Sequence, residues 1–226
     1  EGLPIVMTLV LATGVWRMSK HNVLVKKLYA VEALGQAQII AVDKTGTITK
    51  NELEIERIYA NNRFFEVSGS GYEPKGEIYL EEKIIAPQKF PEILLAGRAA
   101  AFCGNARLLF SEETRDWRIS GDPTEAALLV FAQKIGLSRE ELLSKHPMVE
   151  EEPFDYRTKY HLTVNKEGNK ESEISVVGAP EAVLALCKFF WQDGEAKRLT
   201  EEKKSELENI FSSMSENGLR VLAFAV

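Results

Sequence analysis

The sequence predicts an α/β protein in which the opening of a parallel sheet gives way to an inserted α+β domain built on antiparallel strands. Three observations predict it. Gln38 to Val42 (QIIAV) is a short, continuous, β-branched apolar run, the pattern of a strand buried on both faces of a parallel sheet, and it ends on Asp43 and the small, polar, glycine-bearing loop Lys44 to Asn51. Beyond Glu52 the texture changes to short alternating segments separated by Asn-Asn, Gly-rich and Pro-bearing turns, which marks a second domain. Helices with recognisable start signals then interrupt those strands.

Ahead of the first strand, Leu3 to Val15 carries no charge and is followed by Arg17, Lys20, His21, Lys26 and Lys27. A spanning helix needs about 20 apolar residues, so the run reads as the second half of a membrane helix with its basic flank in the cytoplasm. A signal peptide would carry its basic residues before the apolar run, and here they follow it. From Asn22 to Leu34 apolar residues recur at helical spacing and Gly35 is placed as a C-cap, which predicts a stalk helix. The expected domains are therefore a membrane-helix half over 1–16, a stalk helix over 17–37, the start of a parallel-sheet domain over 38–51, and the inserted domain over 52–226.

Within the inserted domain the expected strands are Glu54 to Tyr59, Arg63 to Val67, and Ile78 with Tyr79. Pro91 opens a helix through about Cys103, and Asp122-Pro123-Thr124-Glu125 opens another to about Ile135 that Gly136 closes. Ser138 with Glu141 has capping-box spacing. Tyr160 to Val164 and Glu173 to Val177 form a hairpin across Lys166-Glu167-Gly168-Asn169. Thr200 caps a charged helix that Gly218 ends, and Arg220 to Val226 forms a last strand. No internal repeat is present.

Composition excludes some functions. The net charge of −6 and pI near 5.3 leave no basic surface of the kind nucleic acid requires. Cys103 and Cys187 are isolated, without metal-ligand spacing or the density of a disulfide scaffold, and read as buried thiols in a reducing compartment. Trp117 and Trp191 lie among polar residues and read as partly buried surface positions.

The most specific signal is Asp43-Lys44-Thr45-Gly46-Thr47. An aspartate at the end of a buried strand, in a loop whose amides can bind phosphate oxygens, presents a carboxylate for phosphoryl transfer. Asp43 is the expected nucleophile. Lys44 offsets phosphoryl charge, Gly46 lets the backbone approach, and Thr45 offers oxygen to magnesium and a hydrogen bond to phosphate. The alternative is a plain turn capped by Asp43.

Asp43 to Leu53 (DKTGTITKNEL) resembles the phosphorylation motif of P-type ATPases. Three more segments resemble the nucleotide-binding domain of calcium-type and sodium-type pumps, in the family's order: Gly121 to Leu128 (GDPTEAAL), Glu152 to Lys159 (EPFDYRTK) and Gly178 to Val183 (GAPEAV). The resemblance implies a HAD-like phosphorylation domain with an inserted nucleotide-binding domain, ATP and Mg2+ as reactants, and a transported cation, with calcium favoured. It also implies a membrane protein whose residues after about 17 lie in the cytoplasm, and further motifs beyond Val226. Carried over by position, Phe154 would stack on adenine, Lys159 would face the phosphates, Glu125 would help fix the base, Gly178 would shape the pocket turn, and Arg220 would reach the phosphates. Each has a plainer reading: Phe154 as core, Lys159 as solvated surface, Glu125 as half of a capping box, Gly178 as a strand-helix junction. Asp43 and Thr45 would hold magnesium. Glu1-Gly2-Leu3-Pro4 looks like the centre of the fourth membrane helix of calcium-type pumps, which makes Glu1 a candidate ion ligand.

Two features depart from simple expectation. Val177 stands where the family usually has lysine before the Gly-Ala-Pro turn, so the pocket lacks one cation. His146-Pro147 matches a dipeptide of heavy-metal pumps, but its neighbours belong to the other class and His146 reads as a helix-end residue. Two rival functions are a nucleotide-binding module without catalysis and a phosphatase with a cap domain. The phosphatase would need an acid where Thr45 stands.

Overall fold

The computed structural model describes residues 2–168 and 171–226, so Glu1, Asn169 and Lys170 lie outside the described residues. The chain divides into two compact units, Glu1–Lys50 and Asn51–Val226.

In the first unit α1 runs Leu3–Lys20. Proline is tolerated in its first turn because the missing N–H has no helical partner there, and Arg17 and Lys20 in the last turn suit the negative end of the helix dipole. Most of its apolar side chains are exposed, Leu3 at 72% and Ile5 at 65%, while Leu11, Val15 and Met18 are partly covered. Among the described residues no helix is long and apolar enough to cross a membrane. The helix passes through residue 16, the expected boundary, to end at His21 and the left-handed Asn22.

Two expectations for this unit are corrected. The stalk helix expected from Asn22 is confined to α2, Ala30–Gly35, because Asn22 at φ 61° breaks the path; Gly35 is the last helical residue and Gln36 the C-cap. Gln38 to Val42 is not a strand: it pairs with no described strand, and Ile39 and Ile40 are 87% and 83% exposed. A ladder needs a neighbour whose N–H and C=O groups face it, and the described fold offers this run none.

The second unit holds a four-stranded antiparallel meander, β1 Arg57–Ala60, β2 Arg63–Val67, β3 Ile78–Leu80 and β4 Lys83–Ile85. The β1–β2 turn places Asn61 and Asn62 at φ 52° and 59°, the doubly left-handed geometry of two-residue hairpins, which Asn tolerates. After a 3-10 turn at Pro87–Lys89, α3 spans Pro91–Cys103 as expected, followed by the hairpin β5 Arg107–Ser111 and β6 Asp116–Ser120. Then come α4 Pro123–Lys134 and α5 Arg139–Lys145.

A second antiparallel sheet has the order β12-β9-β8-β7, from β7 Met148–Glu152, β8 Tyr160–Glu167, β9 Glu171–Gly178 and β12 Ala223–Ala225. Between β9 and β12 lie α6 Pro180–Leu186, the hairpin β10 Phe189–Gln192 with β11 Glu195–Arg198, and α7 Glu201–Glu216. Thr200 accepts from the Lys203 N–H as the expected cap.

The core explains the layering. Phe65, Val67 and Ile78 of the meander meet Ile93, Ala99, Ala100 and Cys103 of α3, Leu128 and Phe131 of α4, and Val177 of β9 in one buried cluster. Small residues on α3 let that helix lie close to both sheets; Ala99, Ala100 and Cys103 are fully buried. A smaller cluster, with Tyr72, Ala126, Leu129 and Val130, covers the β5–β6 hairpin. Cys187 is only half-buried, which corrects its reading as a buried thiol.

Candidate functional site

The first candidate lies in the Glu1–Lys50 unit. Asp43 is exposed with extended backbone (φ −69°, ψ 142°), and Lys44–Ile48 form a single wide turn closed by the Thr49 N–H donating to the Lys44 carbonyl at 3.1 Å. Gly46 sits at φ 72°, a conformation that a side chain would penalise. The turn therefore leaves the Asp43 carboxylate and the Thr45 and Thr47 hydroxyls open to solvent. Glu1, the expected cation ligand, lies outside the described residues.

The second candidate is built in the Asn51–Val226 unit where α4 begins. Asp122 is the N-cap, its side chain accepting from the Thr124 N–H at 2.7 Å and the Glu125 N–H at 3.3 Å. The cap thus belongs to Asp122, and the Glu125 carboxylate accepts from the Asn105 N–H at 3.3 Å. Its Oε1 lies 3.9 Å from Nδ1 of His161, a residue 4% exposed. Burial pushes the Glu125 carboxyl up, while nearby His161 works in the opposite direction. On its other side His161 contacts Glu151 through Nε2 at 2.9 Å. Asn105 ties the group together, donating from Nδ2 to Glu151 and accepting from Arg139 at 2.7 Å.

Lys159 and Gly178 meet directly. Lys159 is left-handed at φ 63°, held there by its N–H donating to Asp155 O at 2.7 Å and its carbonyl accepting from the Ala179 N–H at 2.9 Å. Its ammonium lies 2.9 Å from Glu181 Oε1, and that hydrogen bond holds the Glu181 carboxyl below its ordinary range. Gly178 pairs with Tyr160 on one side and Ala223 on the other, and a Cβ there would come within 2.4 Å of the Lys159 carbonyl oxygen. The glycine is thus required by the sheet itself.

Phe154 lies in the loop between β7 and β8, 44% exposed, its ring edge-on to Tyr156 at a centroid distance of 5.4 Å. The core reading of Phe154 fails, since nearly half of the residue is exposed. Arg220 is exposed in the segment leading to β12. The described hydrogen bonds and ion pairs join Glu125 to one group and Lys159 to Gly178's turn; Phe154 and Arg220 share none with either. Val177 is 4% exposed, opposite His161 and Phe224 in the sheet, and belongs to the apolar core.

His161, Glu151 and Asn105 were not singled out from sequence. The available signal was the alternation of β8, where His161, Thr163 and Asn165 occupy every second position and are all buried. Polar residues on an inward face need partners, and here these partners form the site.

An exposed aspartate heads a glycine-bearing turn, and two carboxylates gather about buried His161; the chain belongs to the P-type ATPase family, the family model for cytoplasmic domain N matching residues 94–226. Among its relatives are the cation-transporting ATPase pma1 of Synechocystis, 39% identical, and the calcium-transporting ATPase of Bacillus subtilis, 37% identical, each matching all of this chain and 25% of its own length. Calcium-transporting ATPase type 2C member 1 of Bos taurus is 35% identical over the whole chain and 23% of its own length. The chain spans about a quarter of the length of these curated relatives.

Proposed function

We propose that the protein carrying this chain is an ATP-driven cation pump that passes through an aspartyl phosphate on Asp43, with calcium as the transported ion. The observation that carries this reading is the exposed Asp43 carboxylate at the head of the Lys44–Ile48 turn, in a chain similar throughout to proteins named as cation and calcium transporters.

In this reading one Asp43 oxygen attacks the γ-phosphorus of ATP, the bond from that phosphorus to the bridging oxygen breaks, and ADP leaves with the electron pair. Lys44 offsets charge on the moving phosphoryl group, and the turn's amides and Thr45 hydroxyl orient it. Asp43 and Thr45 supply two hard oxygen donors, which fits magnesium, an ion that takes one or two protein oxygens together with phosphates and water. Bound there, the ion would neutralise phosphate charge. Glu125, Phe154, Lys159, Gly178 and Arg220 are the proposed nucleotide contacts, with Phe154 stacking on the base and the two cations toward the phosphates.

The proposed division is a membrane-helix half over 1–16, a stalk over 17–37, the phosphorylation domain's start over 38–51 and the nucleotide domain over 52–226, with residues after about 17 in the cytoplasm. Glu1 is the proposed cation ligand. The test is phosphoenzyme formation by the full-length protein from γ-labelled ATP with magnesium. Acid-stable, hydroxylamine-labile label that requires calcium and disappears in Asp43→Asn is expected. ATP binding without any label would mark a nucleotide-binding module and refute the pump.

A further inference from the structure

His161 is the one histidine of β8 and is buried between two carboxylates, in a place where the family reading assigns it no task. Its hydrogen bonds decide its tautomer. Nε2 lies 2.9 Å from Glu151 Oε1, and an ionised carboxylate only accepts, so Nε2 carries a proton. Neutral His161 then has a bare lone pair at Nδ1, and that buried atom has no hydrogen-bond partner among the described residues. It faces Glu125 Oε1 at 3.9 Å, too far for a hydrogen bond and close enough for repulsion between a lone pair and a carboxylate. A proton on Nδ1 reverses this: the imidazolium can donate to both carboxylates at once, and Glu125 can close the gap.

The surroundings leave this role to the imidazole. Glu151 faces it from β7 and Glu125 from α4, with Asp122 adding negative charge at the same helix start. Asn105, from the segment after α3, bonds both Glu125 and Glu151 and is in turn bonded by Arg139 of α5. Cys103 of α3 reaches the His161 carbonyl at 3.7 Å as an un-ionised thiol, and Val177 opposite on β9 is apolar. With neutral His161 the cluster therefore presents its carboxylates to an incoming polyanion with one guanidinium, held at one remove through Asn105.

We propose that His161 is a positioning residue of the nucleotide site: protonation of its imidazole draws Glu125 into place and offsets the charge of Glu125 and Glu151, so that ATP binds more tightly as that proton is gained. The inference rests on the nucleotide-site reading of Glu125. A single added charge beside a bound polyanion changes affinity by roughly threefold to tenfold.

The experiment is an NMR titration of the full chain, following the His161 ring resonances across pH 5 to 9 without ATP and with saturating ATP, alongside calorimetric ATP affinities at pH 5.5 and 8. By linkage, a proton that favours ATP must itself be favoured by ATP. The expected result is an upward shift of the ring's midpoint on ATP binding and an affinity about threefold to tenfold higher at the lower pH. The His161→Gln chain, which keeps a donor for Glu151, should retain only the dependence due to ATP's own protonation. If ATP binds and the wild-type ring midpoint does not rise, the proposal is overturned while the nucleotide site stands. If ATP fails to bind at any pH, both fall. The ring titration uses the unaltered chain, so it decides even where the variant does not fold.

Discussion

The Lys159 ammonium is bonded to the Glu181 carboxylate of α6 at 2.9 Å, both side chains being more than half exposed. The cation proposed to meet phosphate is thus already engaged, by the first turn of the helix that follows the Gly-Ala-Pro turn. Exposed pairs of this kind contribute about 0.2–1 kcal/mol. Replacing Glu181 with Gln frees the lysine and removes a negative charge from the phosphates' approach. ATP affinity should rise about twofold to fivefold in calorimetry with little change in thermal midpoint. An unchanged or weaker affinity would separate Lys159 from the phosphates.

Glu125 couples stability to binding with opposite signs. Burial, the largest influence, raises its carboxyl pKa in the folded state, so the fold favours the protonated form. The associated stability is present below the unfolded value of 4.5 and is lost as pH rises through the higher folded value. At pH 7 the ionised carboxylate therefore strains the fold. Glu125→Gln, which can still accept from the Asn105 N–H, should melt higher than wild type at pH 7 and lose that advantage below about pH 4.5. The same variant should bind ATP several-fold more weakly. Scanning calorimetry at several pH values and ATP titration read the two effects separately.

What the sequence revealed follows from how local each signal is. The caps at Asp122, Ser138 and Thr200 depend on residues two or three positions away, and all three form the expected backbone bonds. Pro91 likewise starts α3 where a first-turn proline should. The expected strand Gln38 to Val42 failed because strand formation needs a partner, which composition cannot supply. Asn22 acts in a related way: Val23 and Leu24 keep helical spacing after it, yet its left-handed backbone ends the helix. The candidate site divides along the same line. Glu125, Phe154 and Lys159 are candidates because they stand in linear motifs, whereas Asn105, Glu151 and His161 come together from a loop and two strands.

Cys103 predicts an alkaline limit to stability. Its thiol lies in the core against Thr163 and the Ser175 carbonyl, and burial pushes its pKa up to about 12 from 9.0. The unfolded thiol ionises first, so the protection is whole below pH 9 and drains away as pH rises from 9 toward 12. Cys103→Ala should cost stability at pH 7 through lost packing, about 1–2 kcal/mol, and should show a shallower decline above pH 9 than wild type. Denaturant midpoints across that range test it. A thiol reagent at pH 8 should modify half-buried Cys187 well before Cys103 in the folded chain.

Arg98 fastens the long β8–β9 hairpin to α3. Its Nη2 reaches Glu167 at 3.0 Å and Glu173 at 2.5 Å, and Glu167 also meets His146 Nδ1 at 2.8 Å. Asn165 pairs with Glu173 across the strands, so Glu167 and Glu173 occupy neighbouring positions on one face and repel unless a cation stands between them. Glu173 is the more enclosed of the two, at 17% side-chain exposure. Removing the guanidinium leaves that carboxylate desolvated and uncompensated, a loss of about 3 kcal/mol. Arg98→Leu, which keeps apolar bulk against Phe102, should lower the unfolding midpoint by that measure. If the loss comes from the stranded charge, then adding Glu173→Gln should recover most of it, whereas a packing defect would leave the double variant as unstable as the single. Chemical denaturation of the four chains of this cycle distinguishes the two, and a coupling below about 0.5 kcal/mol would refute the fastening role.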